Sequence, residues 1–171
     1  KAGQIPRKSC QNIKKKAKFN IGRISEIEEK TKHDVVAFIN NVAETLGKDA
    51  RYFHMGLTSN DILDTSLALQ MVEAMDIIIE DAQLLQEILS KNAKKYKKTI
   101  CVGRTHGIHA EPITFGLKFA LWFDEMKRNI ERLSVAREII RVGKLSGAVG
   151  TYSHIEPAVE KYVCDKLKLN P

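Results

Sequence analysis

Three polar clusters interrupt a chain otherwise built of aliphatic residues, lysine and glutamate: Lys32-His33-Asp34, His54-Met55-Gly56-Leu57-Thr58-Ser59-Asn60-Asp61, and Gly103-Arg104-Thr105-His106-Gly107-Ile108-His109-Ala110-Glu111-Pro112. The third holds two histidines, an arginine, a threonine and a glutamate in one short stretch. A histidine titrating near neutrality serves as general acid or base, typically worth ~10²–10⁴-fold in rate. A single histidine is more often structural, but several polar residues gathered in a connector with two glycines shift the balance toward chemistry. In the second cluster, two hydroxyls and the free N–H groups of a helix start suit a carboxylate or phosphate. The same residues are also an ordinary helix cap, which is how most helices begin.

Other chemistries fit less well. His106 and His109 stand three apart, yet no helix is predicted there and no third ligand accompanies them, so a zinc site is not expected. His109-Ala110-Glu111 matches half of a zinc deaminase pattern, but the Pro-Cys-x-x-Cys half is missing. Gly143-Lys144-Leu145 lacks the hydroxyl residue that follows the lysine of a phosphate loop, and no G-x-G-x-x-G precedes a helix. Two basic runs, Lys14-Lys15-Lys16-Ala17-Lys18 and Lys94-Lys95-Tyr96-Lys97-Lys98, would be the footprint of a nucleic-acid binder. Lysine dominates both, and Tyr96 is the one aromatic among them, so solvated helix ends are the better reading and no nucleic-acid partner is expected.

The elements that must position these clusters are helical. Only four prolines break the chain, and between them Leu, Ile, Ala, Glu and Lys recur at helical spacing. A helix is expected after Pro6, another over about Arg23 to Lys30, and a third capped by Asp34, with Val35, Phe38, Ile39, Val42 and Leu46 on one face and Gly47 at its end. The longest should open at Thr58-Ser59-Asn60-Asp61, a hydroxyl with an acid three residues later as in a capping box, and run to about Lys98. Its polar positions Gln70, Glu73, Asp76, Glu80, Gln83, Glu87 and Ser90 trace one narrow stripe, and most of the remaining circumference is apolar. A helix of that kind should be covered on several sides, by a bundle completed with other chains or further sequence. Thr99 to Pro112 reads as a connector with turn and strand character, followed by a second long helix from about Ile113. Gly143, Gly147 and Gly150 mark a loop, and Pro157 opens a last helix to about Leu167. The fold class expected is all-α, a long-helix bundle.

Composition sets the outer bounds. The chain has 171 residues, a formal net charge of +7, 43% hydrophobic and 6% aromatic residues, which describes a folded chain with a core. Charged residues interrupt every apolar stretch well short of the roughly 18 residues of a membrane span, so no membrane association is expected. The first residues, Lys1-Ala2-Gly3-Gln4, carry neither Met nor an apolar signal core, which points to an excerpt and gives no support to secretion. Cys10, Cys101 and Cys164 are odd in number and widely spaced, as suits a reducing cytoplasm.

Taken in order, the three clusters, extended by Val35-Val36-Ala37-Phe38, Ile62-Leu63-Asp64-Thr65, Thr114-Phe115-Gly116 and Gly147-Ala148-Val149-Gly150-Thr151-Tyr152, resemble the adenylosuccinate lyase family of the fumarase/aspartase superfamily. His109, where sister families usually carry glutamine, and the string Arg-Thr-His-Gly-x-His-Ala-Glu-Pro point to the purine branch. Lys32, where arginine is usual, and Asn60, where threonine or serine is common, depart from it. The resemblance implies a C–N lyase that eliminates fumarate from adenylosuccinate to give AMP, and from the succinylated aminoimidazole carboxamide nucleotide. It implies His106 as the general acid toward the leaving nitrogen and Thr105 as a substrate contact. Thr58 and Ser59 would bind the succinyl carboxylates. Lys32, His33 and Asp34 would form a substrate-binding segment, His33 assisting catalysis on the phosphate side, with His54 in support. No metal or organic cofactor is implied.

The resemblance further implies a nucleotide substrate and a homotetramer whose active sites are shared between subunits. It places residues 1–58 in an N-terminal helical domain and 59–171 in the first part of a central long-helix domain. Its general base is a serine on a Ser-Ser-x-Met-Pro-x-Lys-x-Asn-Pro loop that these residues do not contain, so the chain would be a truncated portion of an enzyme, inactive alone. A sister lyase acting on another substrate, or a non-catalytic basic helical protein that binds nucleic acid, are the alternatives.

Overall fold

The computed structural model describes residues 3–171, which form six α-helices, one 3₁₀ turn and one two-stranded hairpin. Helix α1 (Arg7–Lys16) follows Pro6, and Lys14, Lys15 and Lys16 in its last turn complement the helix dipole. Helix α2 (Ile21–Thr31) starts at Asn20, whose side-chain oxygen accepts the Arg23 N–H at 2.9 Å, and ends at Lys32 in the left-handed conformation. Helix α3 (Asp34–Leu46) runs to Gly47, and a 3₁₀ turn (Gly47–Tyr52) follows. Helix α4 (Ser59–Lys95) leads to β1 (Ile100–Thr105) and β2 (Ile108–Thr114), then α5 (Phe115–Ile140) and α6 (Pro157–Leu167). The protein is all-α apart from that hairpin.

Several boundaries differ from the sequence reading. Asp34 is the first residue of α3 and His33 occupies the cap position, in extended conformation and without a side-chain cap bond. The second helix is Ile21–Thr31, longer than expected at both ends. Helix α4 stops at Lys95 because the next carbonyls turn outward: Tyr96 O accepts Gly116 N–H at 3.0 Å and Thr99 O accepts Phe115 N–H at 2.8 Å. Helix α5 begins at Phe115 instead of Ile113, since Ile113 and Thr114 pair with Cys101 and Ile100 in the antiparallel ladder.

The chain divides into two compact units, and the division falls inside α4. The first takes the chain up to Leu67 and again from Val142 onward. Its core holds Val35, Ala37, Val42, Leu46, Leu145, Ile155, Cys164 and Leu169. Phe38 lies 6.2 Å, ring to ring, from both Phe19 and Phe53. The returning segment is tied in by Gly143, whose N–H donates to Asn170 O at 2.7 Å, and a Cβ at position 143 would stand 2.7 Å from Cys164 Sγ. Only glycine fits there.

The second unit, Ala68–Arg141, contains most of α4, the hairpin and α5. Tyr96, Phe115, Phe119 and Trp122 form an aromatic chain at one end, with centroid separations from 4.8 to 5.9 Å. A Cβ on Gly116 would meet Ala93 O at 2.5 Å, so glycine allows the close approach of α5 to α4. Arg137 grips Asp76 through both nitrogens Nε and Nη2. Ala68, Val72 and Leu89 are buried, whereas Ile77, Leu84, Ile88, Leu121 and Ile139 are exposed. The cover that the sequence pattern calls for is not supplied by the unit's own residues. No described helix is long and apolar enough to cross a membrane.

Candidate functional site

In the first unit, the corner between α2 and α3 meets the start of α4. Lys32 holds φ 51°, the left-handed value that lets its N–H close on Glu28 O at 2.8 Å and the chain turn into His33. Asp34 Oδ1 accepts the Val35 N–H at 2.7 Å and stands 3.2 Å from His33 Nδ1. On the other side of the ring, Nε2 stands 3.5 Å from Ser59 Oγ. His33, Asp34 and Ser59 therefore lie together. His54 sits just before this region, half-buried, at φ 63°. Burial holds its pKa below the ordinary histidine range, partly offset by the negative charge of Asp61.

Thr58 and Ser59 are half-buried at the N-terminus of α4, where Ser59 and Asn60 present N–H groups ahead of the first intrahelical bonds. The expected capping box is formed in part: Asp61 Oδ2 accepts the Thr58 N–H at 2.9 Å, and the Asp61 N–H goes to the Thr58 carbonyl at 3.1 Å. Asp61 does more than cap. It is fully buried, and its carboxylate also takes Lys144 Nζ at 2.9 Å, Ser146 N–H at 3.1 Å and Gly147 N–H at 3.2 Å. Desolvation pushes its pKa up, but the Thr58, Lys144 and Ser146 donors together outweigh it, and the net direction is down. Nearby, Thr65 Oγ1 donates to Lys144 O at 2.9 Å and accepts its N–H at 3.0 Å. Buried Glu160 of α6 accepts Leu145 N–H at 2.7 Å and the Tyr152 hydroxyl at 2.6 Å, which raises the Tyr152 pKa.

Sequence reasoning took Asp61 as a cap and weighed Lys144 only as a phosphate-loop lysine. It quoted Thr65 and Tyr152 within the family pattern without giving them a role, and passed over Glu160. Apart from Thr58, the partners of Asp61 stand 83 to 86 residues away, beyond any helical period. The only local signal was an acid placed at the start of an apolar helix.

In the second unit, the third cluster is a β-hairpin. Arg104 pairs with His109 and Thr105 with Ile108, so His106 and Gly107 are the two turn residues. Both have positive φ, 50° and 75°, as a type I′ turn requires, and glycine takes the second at no cost. Arg104 Nη1 braces the turn on Gly107 O at 3.3 Å. A bulge lies between Val102 and Arg104, at Gly103, where a Cβ would come within 2.4 Å of Glu111 O. The hairpin thus presents His106 at its tip, exposed, with Thr105 and His109 exposed beside it. Thr105 and His106 belong to the Ala68–Arg141 unit; Lys32, His33, Asp34, His54, Thr58 and Ser59 belong to the other. Among the described residues no group of three or more His, Cys, Asp or Glu is placed to hold a metal ion.

A lyase family matches residues 2–170. The adenylosuccinate lyase of Bacillus subtilis (strain 168) is 52% identical over 167 residues, covering 98% of this chain and 39% of that protein. The adenylosuccinate lyase of Staphylococcus saprophyticus is 49% identical over 170 residues, with 99% and 39% covered. Among solved structures, a fumarate lyase from Mesorhizobium sp. BNC1 superposes with a TM-score of 0.90 at 26% identity, over 98% of this chain and 41% of that one. A 3-carboxy-cis,cis-muconate lactonizing enzyme from Pseudomonas putida gives 0.84 at 28% identity, over 99% and 41%. The chain thus spans about 39% of the length of the curated relatives it matches.

Proposed function

From the premise that the chain belongs to the lyase family matched over residues 2–170, we propose that the full-length protein is an adenylosuccinate lyase. The observation that carries this reading is about half identity, 52% and 49%, to two adenylosuccinate lyases across nearly the whole chain. The reaction is elimination of fumarate from adenylosuccinate to give AMP, and from the succinylated aminoimidazole carboxamide nucleotide. A base takes a proton next to a carboxylate, the C–N bond breaks, and an acid protonates the leaving nitrogen.

His106 is the proposed acid. Its exposed place at the tip of a braced turn suits a group that must reach a bound substrate. Thr105 contacts the substrate beside it. Thr58 and Ser59 hold the succinyl carboxylates with their hydroxyls and with the N–H groups that open α4, where the helix dipole favours anions. Lys32, His33 and Asp34 bind on the phosphate side; the Asp34 contact to His33 Nδ1 orients the ring for that work. His54 supports the site. The general base is not among these residues, since the sequence contains no Ser-Ser pair; the 171 residues alone are expected to be inactive.

In this reading residues 1–58 belong to an N-terminal helical domain and 59–171 open the central one. The full-length protein is a cytoplasmic homotetramer with shared active sites. The exposed apolar faces of α4 and α5 support the tetramer, and the free cysteines suit the compartment. A sister lyase is the second reading, favoured by the structural likeness to a fumarate lyase and a lactonizing enzyme. Assaying the full-length protein on adenylosuccinate and a panel of other succinylated or carboxylated substrates decides between them. Fumarate and AMP released from adenylosuccinate support the proposal, and turnover confined to another substrate overturns it.

A further inference from the structure

Asp61 is bonded far beyond what a helix cap requires. A cap needs one donor, the Thr58 N–H; this buried carboxylate also takes the Lys144 ammonium and the Ser146 and Gly147 N–H groups, all from the returning segment of the same unit. Glu160 grips that segment from α6, through the Leu145 N–H and the Tyr152 hydroxyl, and Thr65 binds both the N–H and the carbonyl of Lys144. Residues 144–152 are therefore pinned from two helices, and the start of α4 is pinned to them.

We propose that Asp61 is a positioning residue for the carboxylate-binding start of α4: it fixes Thr58 and Ser59 against Lys144–Gly147, and Lys144 cancels its charge so that an anion is still accepted there. The electrostatic half of this role follows from burial. A bare carboxylate one turn from the hydroxyls of Thr58 and Ser59 would repel a dicarboxylate, and out of water that repulsion is weakly screened. The ammonium at 2.9 Å removes it while leaving the hydrogen bonds in place. The identity of the ligand rests on the lyase reading above; the clamp itself does not.

The test uses the full-length protein carrying Lys144→Met, Asp61→Asn, or both, with the inhibition constants of fumarate and AMP measured separately. Lys144→Met leaves the buried charge unpaired and should weaken fumarate binding, and raise KM, about tenfold or more while AMP binding stays within about twofold. The double variant should recover most of that loss, because a neutral amide repels nothing. Equal losses for fumarate and AMP, or a double variant no better than Lys144→Met, would overturn the proposal, since a purely structural clamp predicts both.

Should Lys144→Met fail to fold, Lys144→Arg and Lys144→Gln repeat the comparison. Arginine should keep fumarate binding within about twofold and glutamine should not; equal behaviour counts against the role. If the wild-type protein releases no fumarate from adenylosuccinate, the lyase reading fails by itself. The clamp is then read from amide exchange in Asp61→Asn: Ser146 and Gly147 should exchange about tenfold faster or more, and unchanged rates overturn it.

Discussion

The two compact units bury different things. In the unit that begins and ends the chain, buried positions include Asn41, Asp49, Asp61, Thr65, Ser146 and Glu160 beside an aliphatic core; Asp49 is bonded to the Asn12 side chain, and the others to one another or to backbone. The Ala68–Arg141 unit buries little beyond Ala68, Val72 and Leu89 and leaves Leu121 and Ile139 more than 60% exposed. The first unit closes a core of aliphatic and bonded polar groups even though Phe19, Ile21 and Val149 stay exposed, and the other holds its helices together at one aromatic end and along one ion pair. A buried polar network is stable only when complete, so it specifies a single arrangement. An apolar face without cover specifies only that something apolar should meet it.

The largest expected effect tests the exposed unit's chemistry. His106→Ala in the full-length protein should lower kcat by about 10²–10⁴-fold with little change in melting temperature, because the residue is exposed and unbonded to the core. Normal turnover would remove His106 from the proposed acid role. In the unit with the closed core the damage should fall on folding: Leu46→Ala, at a position 3% exposed, should cost about 2–4 kcal/mol in urea unfolding. A cost under about 0.5 kcal/mol, the size of an ordinary surface change, would erase the contrast between the units.

Gly103→Ala should act on both quantities at a smaller scale. Its Cβ meets backbone at 2.4 Å, so the bulge must shift, costing about 1–3 kcal/mol and displacing the turn that carries His106. A wild-type kcat in that variant would show that the bulge does not position the turn.

Acid should act on the first unit, which holds both Asp61 and His54. Asp61 has a lowered pKa in the folded state, so its stabilisation is present above the ordinary Asp range and is lost as pH falls through the folded value. His54, also lowered, stabilises the neutral form and loses that contribution as pH falls below about 6.5, the ordinary histidine value. Stability measured between pH 7 and 3 should fall less steeply at its acid end in Asp61→Asn and less steeply near pH 6 in His54→Gln; parallel curves would contradict both assignments. The smallest effect on secondary structure is expected from Leu121→Glu, which should leave far-UV circular dichroism unchanged while lowering the sedimentation mass of the proposed tetramer. A tetramer that persists at micromolar concentration would place the assembly face elsewhere.

The helices and clusters that could be read in advance share a property: their signals are local. Helical spacing located α3, α4, α5 and α6, and Gly47 and Pro157 stand at the helix ends expected of them. The stretch from Thr99 to Pro112 read as a connector with turn and strand character, and it forms a hairpin because the two positive-φ residues at its tip let adjacent strands pair. Where a boundary moved, as at Lys95 and Phe115, the cause was a hydrogen bond between two elements.

By itself, then, the sequence determined the helical class, the order of the three clusters and the family pattern they carry, because periodicity, capping residues and motif spacing act over a few positions of chain. Tertiary structure alone decided that Asp61 is a buried four-donor hub with Lys144 as its counter-ion, and that His33 meets Ser59. Those facts depend on which distant segments pack together, and the free energy that brings Lys144 to Asp61 across 83 residues comes from burying the core around them.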